Sequence, residues 1–351
     1  MPELPEVETL CRQLNTVLPG ERILRIEVLD PRLGNIERKR GDSAIIFPGS
    51  VPDGSGPGKV AGLVGRRIAA VTRSGKCIHI QMDGGLTAAL HLRMSGRLLY
   101  LAADVLPSLG GKGGTAPDCL NAMLPGGDIL RPEAPGPGPG KISEIAEAGA
   151  EKETVAWKRG EPSPVSGKIG SCPPFFPYSR LVIGFSSGTL VLIDPRRFAT
   201  FAVQPEGIAP ALPDDPMEGL PAQRLREIAR TRRRPVKSFL MDQRLIAGIG
   251  NIYACEILFA AGIDPRRPAC SLATAEWRKV AKAAATILRR AVACRGTTVS
   301  DWRDLFGCSG TNQDHLEVYS RQGAPCRRCG GSIERINQGG RGTWLCPICQ
   351  K

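Results

Sequence analysis

Apolar residues recur at helical spacing near the start of the chain, at Val7, Leu10, Leu14 and Leu18, and predict an amphipathic helix over residues 3–18 that Pro19-Gly20 ends. The pattern then shortens. Apolar-rich runs at 23–29, 68–71, 78–82, 88–92, 97–100, 181–185 and 190–193, separated by Gly-rich turns, predict strands of a β-sandwich or barrel. Helical spacing returns from Pro213, over 220–230, 236–242, 251–261 and 273–293, with Gly or Pro at the breaks. Two stretches fit neither pattern. Residues 40–59 carry Gly54-Ser55-Gly56-Pro57-Gly58, and residues 103–176 carry Gly110-Gly111-Lys112-Gly113-Gly114 and a Pro-Gly repeat from Pro135 to Gly140. A structureless segment that long is foreign to a compact domain, so 103–176 is expected to be a mostly disordered insertion, with a short transient helix at 142–154. The expected class is therefore α+β and multidomain. It has a β-rich unit over 2–212, a helical unit over 213–310 and a small tail over 318–351.

Composition narrows the partners. A chain of 351 residues, 42% hydrophobic and 23% charged, has the balance of a soluble globular protein of about two domains. Its net charge of +13 calls for a polyanion, either nucleic acid or an acidic membrane surface. No run of about twenty apolar residues exists, and the N-terminus is acidic, so neither a membrane span nor a secretory signal is expected and the location should be cytoplasmic. Of the 12 cysteines, four form Cys326-x2-Cys329-x16-Cys346-x2-Cys349. Two such knuckles offer four thiolates for one tetrahedral zinc, and a closed shell of four cysteines is structural rather than catalytic. Arg327, Arg328, Arg335 and Arg341 surround Glu334 in this tail, as a nucleic-acid contact or as a solvated face.

The candidate chemistry begins at Met1-Pro2-Glu3-Leu4-Pro5-Glu6-Val7-Glu8. Removal of Met1 leaves Pro2 with a free secondary amine that titrates near pH 8, with Glu3 beside it to handle protons. A frayed acidic tail is the competing reading. In Leu245-Ile246-Ala247-Gly248-Ile249-Gly250-Asn251-Ile252-Tyr253-Ala254 the glycines allow close backbone approach and Asn251 is placed to cap the next helix. Such a turn binds phosphate or simply joins two helices. With the upstream run Arg232-Arg233-Arg234-Pro235-Val236-Lys237 it makes a plausible clamp on a duplex backbone. Asp194-Pro195-Arg196-Arg197-Phe198, placed at the end of the last strand, suits a groove wedge, or else a core Phe198 with surface arginines. Lys76 after Gly75 suits a phosphate, and Met94 in His91-Leu92-Arg93-Met94-Ser95-Gly96 is a base-stack plug or a core methionine.

Taken in order along the chain, these motifs and the four cysteines closely resemble formamidopyrimidine-DNA glycosylases, bacterial repair enzymes for 8-oxoguanine. The resemblance covers both ends but not 40–59 or 103–176. It implies a β-sandwich with an N-terminal helix, then a helix–two-turn–helix domain, then a zinc finger. It also implies that Pro2 attacks the anomeric carbon of a damaged nucleotide and Glu3 protonates the sugar ring oxygen, with the strand then nicked by elimination. Lys76, Asn251 and Arg341 match phosphate-gripping positions, and Lys237, Gly250 and Tyr253 lie in the same clamp. Met94, Arg196 and Phe198 match the residues that fill the emptied duplex, while Gly296-Thr297-Thr298 lies where the family has its lesion-capping loop. The chain departs from the pattern in three places. Arg93 stands for the usual glycine, Ser74 for a basic residue, and Pro177-Tyr178-Ser179-Arg180 lacks a histidine that Arg180 is expected to replace as a phosphate contact. The expected partner is damaged double-stranded DNA bound by a monomer at the nucleoid. The alternatives are an endonuclease VIII-type enzyme for oxidised pyrimidines and a non-catalytic DNA-binding zinc protein.

Overall fold

Eight short segments with large aliphatic side chains on one face close into two four-stranded sheets. The computed structural model describes residues 2–30, 33, 60, 62–103, 176–205 and 214–351. The expected insertions at 40–59 and 103–176, the latter apart from its two end residues, lie outside the described residues, as does the short helix at 142–154. One sheet runs in the order β1 (Arg25–Val28), β6 (Ser179–Gly184), β7 (Gly188–Ile193), β5 (Arg97–Ala102). The other runs β2 (Ile68–Ser74), β3 (Cys77–Met82), β4 (Leu86–His91), β8 (Thr200–Pro205). All neighbours are antiparallel. Ile78, Ile80 and Leu90 of the second sheet share one core with Leu98, Ile183, Leu190 and Leu192 of the first. Each such buried side chain contributes roughly 1.5–3 kcal/mol.

Strand β8 corrects the sequence reading. Asp194–Phe198 does not follow the last strand but forms the turn between β7 and β8, and Thr200 pairs with His91 across the sheet. The strand escaped notice because its alanine and glutamine positions dilute the apolar alternation and it ends in Pro205, which only an edge strand tolerates.

Helix α1 (Leu4–Val17) starts behind Glu3 as its N-cap and buries Val7, Leu10 and Leu14 in the same core. Four further helices build the second unit: α2 (Ala222–Ala229), α3 (Val236–Leu240), α4 (Asn251–Ala261) and α5 (Thr274–Ala293). Phe239, Tyr253, Ile257, Trp277 and Leu288 form its centre. Helix α4 packs against α3, α5 and the C-terminal hairpin, so it is buried nearly all round, and left-handed Gly262 ends it. That hairpin is β9 (Glu334–Gln338) and β10 (Arg341–Leu345), joined by Gly339-Gly340 with both φ positive, as a tight two-residue turn requires. The Glu256 carboxylate of α4 accepts the amides of Glu317, Val318 and Tyr319, and the Arg328 guanidinium lies 4.1 Å from the centre of the Phe259 ring.

The units are joined on both sides of α1. Buried Arg73 pairs with Glu8 of α1 at 2.8 Å and with Asp215 at 2.6 Å. On the far side, the segment after α5 returns to the sandwich through Arg97–Asp301 (2.7 Å), Gln13–Asp304 (2.9 Å) and the Tyr100 amide on the Leu305 carbonyl. Among the described residues no helix is long and apolar enough to cross a membrane.

Candidate active site

The start of the chain is not frayed. Pro2, Glu3 and Leu4 are all buried where the two units meet. Glu3 and Glu6, three residues apart, form a capping box in which the Glu3 amide donates to Glu6 Oε2 at 2.8 Å. The Glu3 side chain has a second task across the interface. Its Oε1 accepts the Ile252 amide at 3.0 Å and its Oε2 the Tyr253 amide at 3.4 Å, so it caps α4 as well. An anion there gains from both the unpaired amides and the helix dipole.

This arrangement revises the glycine-turn reading. Gly250, not Asn251, is the N-cap of α4, and amides expected to face a phosphate are taken by Glu3. A Cβ on Gly250 would lie 2.2 Å from Glu3 Cδ, and one on Gly248 would lie 2.4 Å from the Leu4 side chain. Gly248 also accepts the Leu4 amide. The glycines are there to admit the protein's own N-terminus. Gly296 does the same beyond α5, where a Cβ would meet Glu6 Cγ at 2.9 Å.

Glu6 is the residue that sequence reasoning missed. Its Oε1 accepts from the Tyr253 hydroxyl (2.6 Å) and the Thr297 amide (2.8 Å), and Thr297 Oγ1 in turn accepts from Asn312 (2.8 Å). Burial and the neighbouring Glu3 charge push its carboxyl above the usual range, against the pull of those donors. Tyr253 and Thr297 were expected on the DNA face; both are buried and serve this network instead. The available signal was the spacing of Glu3 and Glu6, which is that of a capping box.

Cations ring this buried acid pair. Lys76 leaves the turn between β2 and β3 and donates to the Ile249 carbonyl at 3.2 Å. Burial lowers its pKa, as does the charge of Arg341, while Glu3 and Glu6 oppose the shift. Arg341 is exposed at the start of β10. Lys237 stands differently from the surface clamp expected of it. Only 2% exposed, it spends its protons on Asn251 Oδ1 (2.6 Å), Thr343 Oγ1 (2.7 Å) and the Gly342 carbonyl (3.1 Å). It therefore fixes Asn251 and the hairpin rather than meeting solvent. Asn251 also donates to Gly342, and Tyr319, another residue sequence reading passed over, bonds to the Asn251 side chain. The rest of the basic run is partly consumed too, Arg232 by the Ile228 carbonyl and Arg234 by Asp242.

The two expected wedges are real protrusions. Met94 is 48% and Phe198 51% exposed, which removes the core alternative for both. Arg196 is exposed beside Phe198, its guanidinium 5.6 Å from the ring centre. One buried carboxylate holds both loops: Asp194 accepts Ser95 Oγ at 2.5 Å from the Met94 loop, and the Ala199 amide at 2.6 Å and Arg196 amide at 3.3 Å from its own. Arg180, expected on a phosphate, is instead 2% exposed and neutralises that carboxylate, together with Asp30. Thr298 is half-buried, fixed by Gln313 and the Trp302 carbonyl.

At the C-terminus the four cysteine sulfurs lie within 4.8 Å of one another. The Cys326–Cys349 and Cys329–Cys346 sulfurs are 3.9 and 3.5 Å apart. Thiolates at about 2.3 Å from a tetrahedral zinc stand about 3.8 Å apart, so the set fits that ion. These residues hold one structural zinc.

Comparison with known proteins agrees across the chain. Residues 1–201 match the formamidopyrimidine-DNA glycosylase N-terminal domain, 212–302 its H2TH domain, and 323–351 a zinc finger found in FPG and IleRS. The formamidopyrimidine-DNA glycosylase of Moorella thermoacetica is 33% identical over 96% of this chain and 94% of its own length. That of Gluconobacter oxydans is 32% identical over the whole of both. Among solved structures, Lactococcus lactis Fpg in complex with DNA containing an abasic site has the same fold, with a TM-score of 0.69 at 24% identity over 99% of each chain. A point mutant of that protein with Fapy-dG-containing DNA gives 0.70 over the whole of both.

Proposed function

The chain belongs to the formamidopyrimidine-DNA glycosylase family, DNA-repair glycosylases, and on that footing we propose that it excises oxidised purines and then nicks the strand as an AP lyase. The observation that carries the chemistry is the seat of Pro2: a buried N-terminal proline beside a carboxylate locked to a helix N-terminus. With Met1 removed, the Pro2 nitrogen adds to C1′ of the damaged nucleotide and the glycosidic bond breaks, its electrons leaving with the base. Glu3, within the same capping box, gives a proton to the ring oxygen, and ring opening leaves an iminium on Pro2. The iminium acidifies C2′. Loss of that proton expels the 3′ phosphate, a second elimination expels the 5′ phosphate, and water releases the sugar remnant from Pro2.

Positioning follows from the cations. Lys76, Asn251 and Arg341 grip the phosphates around the flipped nucleotide, with Lys237 holding Asn251 in place. Met94, Arg196 and Phe198 enter the gap, which offsets part of the few kcal/mol that extrusion costs, and Arg196 faces the orphaned cytosine. Zinc supplies rigidity alone, keeping β9 and β10 against α4.

A second reading has one specific support. Lactococcus lactis Fpg has also been solved with DNA containing an oxidised pyrimidine, so pyrimidine lesions belong in the test. Duplexes carrying 8-oxoguanine or a formamidopyrimidine opposite cytosine, or an oxidised pyrimidine, are incubated with the protein. The proposal expects faster release of the purine lesions and a one-nucleotide gap with phosphate at both ends. Faster pyrimidine release would transfer the protein to the second reading, and no cleavage of any of them would leave only a binding module.

A further inference from the structure

Both wedges ride on short crossings between the two sheets. One crossing leaves β4 after His91 and enters β5 at Arg97; the other leaves β7 after Ile193 and enters β8 at Thr200. His91 pairs with Thr200 in one sheet, and Arg97 pairs with Ile193 in the other. The two crossings therefore start and finish as neighbours, and residues 92–96 and 194–199 run side by side at one end of the sandwich. Met94 and Phe198 are their exposed tips.

Each crossing has local bonds that shape it. The Gly96 amide donates back to the Leu92 carbonyl at 3.0 Å, so close that a Cβ on Gly96 would lie 2.5 Å from that oxygen. Asp194 accepts the Arg196 and Ala199 amides of its own loop. Two further bonds are not local. Arg180 Nη1 donates to Asp194 Oδ2 at 3.3 Å and to the Ala199 carbonyl at 3.0 Å. Ser95 Oγ, 99 positions from Asp194 in the chain, donates to its Oδ1 at 2.5 Å. Asp194 is buried, and a hydroxyl on a buried carboxylate is a strong, directional tie. The Phe198 loop has its own amides and Arg180 to hold it. What Ser95 adds is a fixed separation between that loop and the residue next to it, Met94.

We propose that Ser95 and Asp194 join the two wedge loops into one unit, so that Met94 and Phe198 enter the duplex together, with Ser95 the positioning residue for Met94. The inference rests on the base-extrusion part of the proposed function and deepens it. Two tips on independently moving loops must each be ordered on entry, whereas a tied pair is ordered before the duplex arrives.

The test uses the full chain with its zinc. A duplex with a tetrahydrofuran abasic analogue carries 2-aminopurine beside the lesion, whose fluorescence rises when its stack is broken; a second duplex carries 8-oxoguanine opposite cytosine. Ser95→Ala should slow both the fluorescence rise and single-turnover excision at saturating protein by about tenfold, the effect of one lost hydrogen bond to a charged group. Its affinity for undamaged duplex should stay at the wild-type value. Ser95→Thr keeps the hydroxyl and should restore both rates. In a Met94→Ala background, Ser95→Ala should cost nothing further, because the tie then positions no wedge. Wild-type rates in Ser95→Ala would overturn the proposal, and so would an equal tenfold loss in the Met94→Ala background, which would assign Ser95 to the fold rather than to the wedge. If the wild-type protein gives no fluorescence rise on the lesion duplex, the proposed function fails and the inference with it.

Discussion

Two segments of this molecule are too small to fold alone, and they are held by opposite means. The C-terminal hairpin is fixed by four cysteines within 24 positions of each other, closing on one zinc. The N-terminal residues Pro2 to Glu6 are fixed by groups roughly 250 to 300 positions away: the α4 amides on Glu3, and Tyr253 and Thr297 on Glu6. One anchor is local and rests on a metal. The other is long-range and exists only when both units are folded against each other. The difference shows that a chain terminus need not sit on a rigid element of its own to be held in place. It can borrow the start of a distant helix through a single carboxylate.

Breaking the local anchor should have the largest effect. Structural zinc in small finger segments supplies folding free energy on the order of 10 kcal/mol. Cys346→Ser or chelation should therefore release zinc, unfold the hairpin, and withdraw Arg341 and the Gly342 and Thr343 acceptors from Lys237. Duplex affinity should collapse while the β-sandwich keeps its own unfolding transition. Calorimetry with parallel binding titrations checks this, and unchanged duplex binding would remove the hairpin from the DNA face.

The long-range anchor is broken by one methyl group. In Gly250→Ala the new Cβ collides with the Glu3 carboxyl. Overpacking costs about 1–3 kcal/mol, and a displacement of about 1 Å at a reacting group can cost on the order of 100-fold in rate. Single-turnover excision should fall by about that factor while zinc remains at one per chain. If Gly250→Ala kept full activity, the seat of Glu3 would not be what positions the chemistry.

A smaller effect separates the sandwich from both anchors. His91 titrates near 3 in the fold against 6.5 as a free residue. The unfolded chain thus takes up its proton first, and stability is lost as pH falls from about 6.5 toward 3. By about pH 5 this amounts to roughly 2 kcal/mol. His91→Gln should lose correspondingly less stability between about pH 7 and pH 5 in urea unfolding; parallel losses in the two proteins would contradict the buried neutral imidazole.

What could be read from the sequence follows the same division. The zinc site was fully legible because its information lies in spacing along the chain. Helix α1 and most strands were legible from periodicity, and β8 was not, because its edge position relaxes the pattern. The exposed states of Met94, Arg196 and Phe198 agreed with the motif order. The errors fell on polar residues whose role depends on a partner far away. Arg180 and Lys237 looked like surface cations, yet Asp194 and Asn251 draw them inside. Gly250 looked like room for a phosphate and is room for Glu3. No local pattern distinguishes a cation facing solvent from one facing a buried carboxylate, because both need the same residue.

The central claim is that the Pro2 nitrogen is the nucleophile. The direct measurement is borohydride reduction of the protein on an 8-oxoguanine duplex, followed by peptide mapping of the adduct by mass spectrometry. The reduced sugar should be found on an N-terminal peptide that begins at Pro2, and Pro2→Gly should not yield an adduct at a proline. An adduct on Lys76 or another lysine, or full activity in chains that retain Met1, would contradict the account.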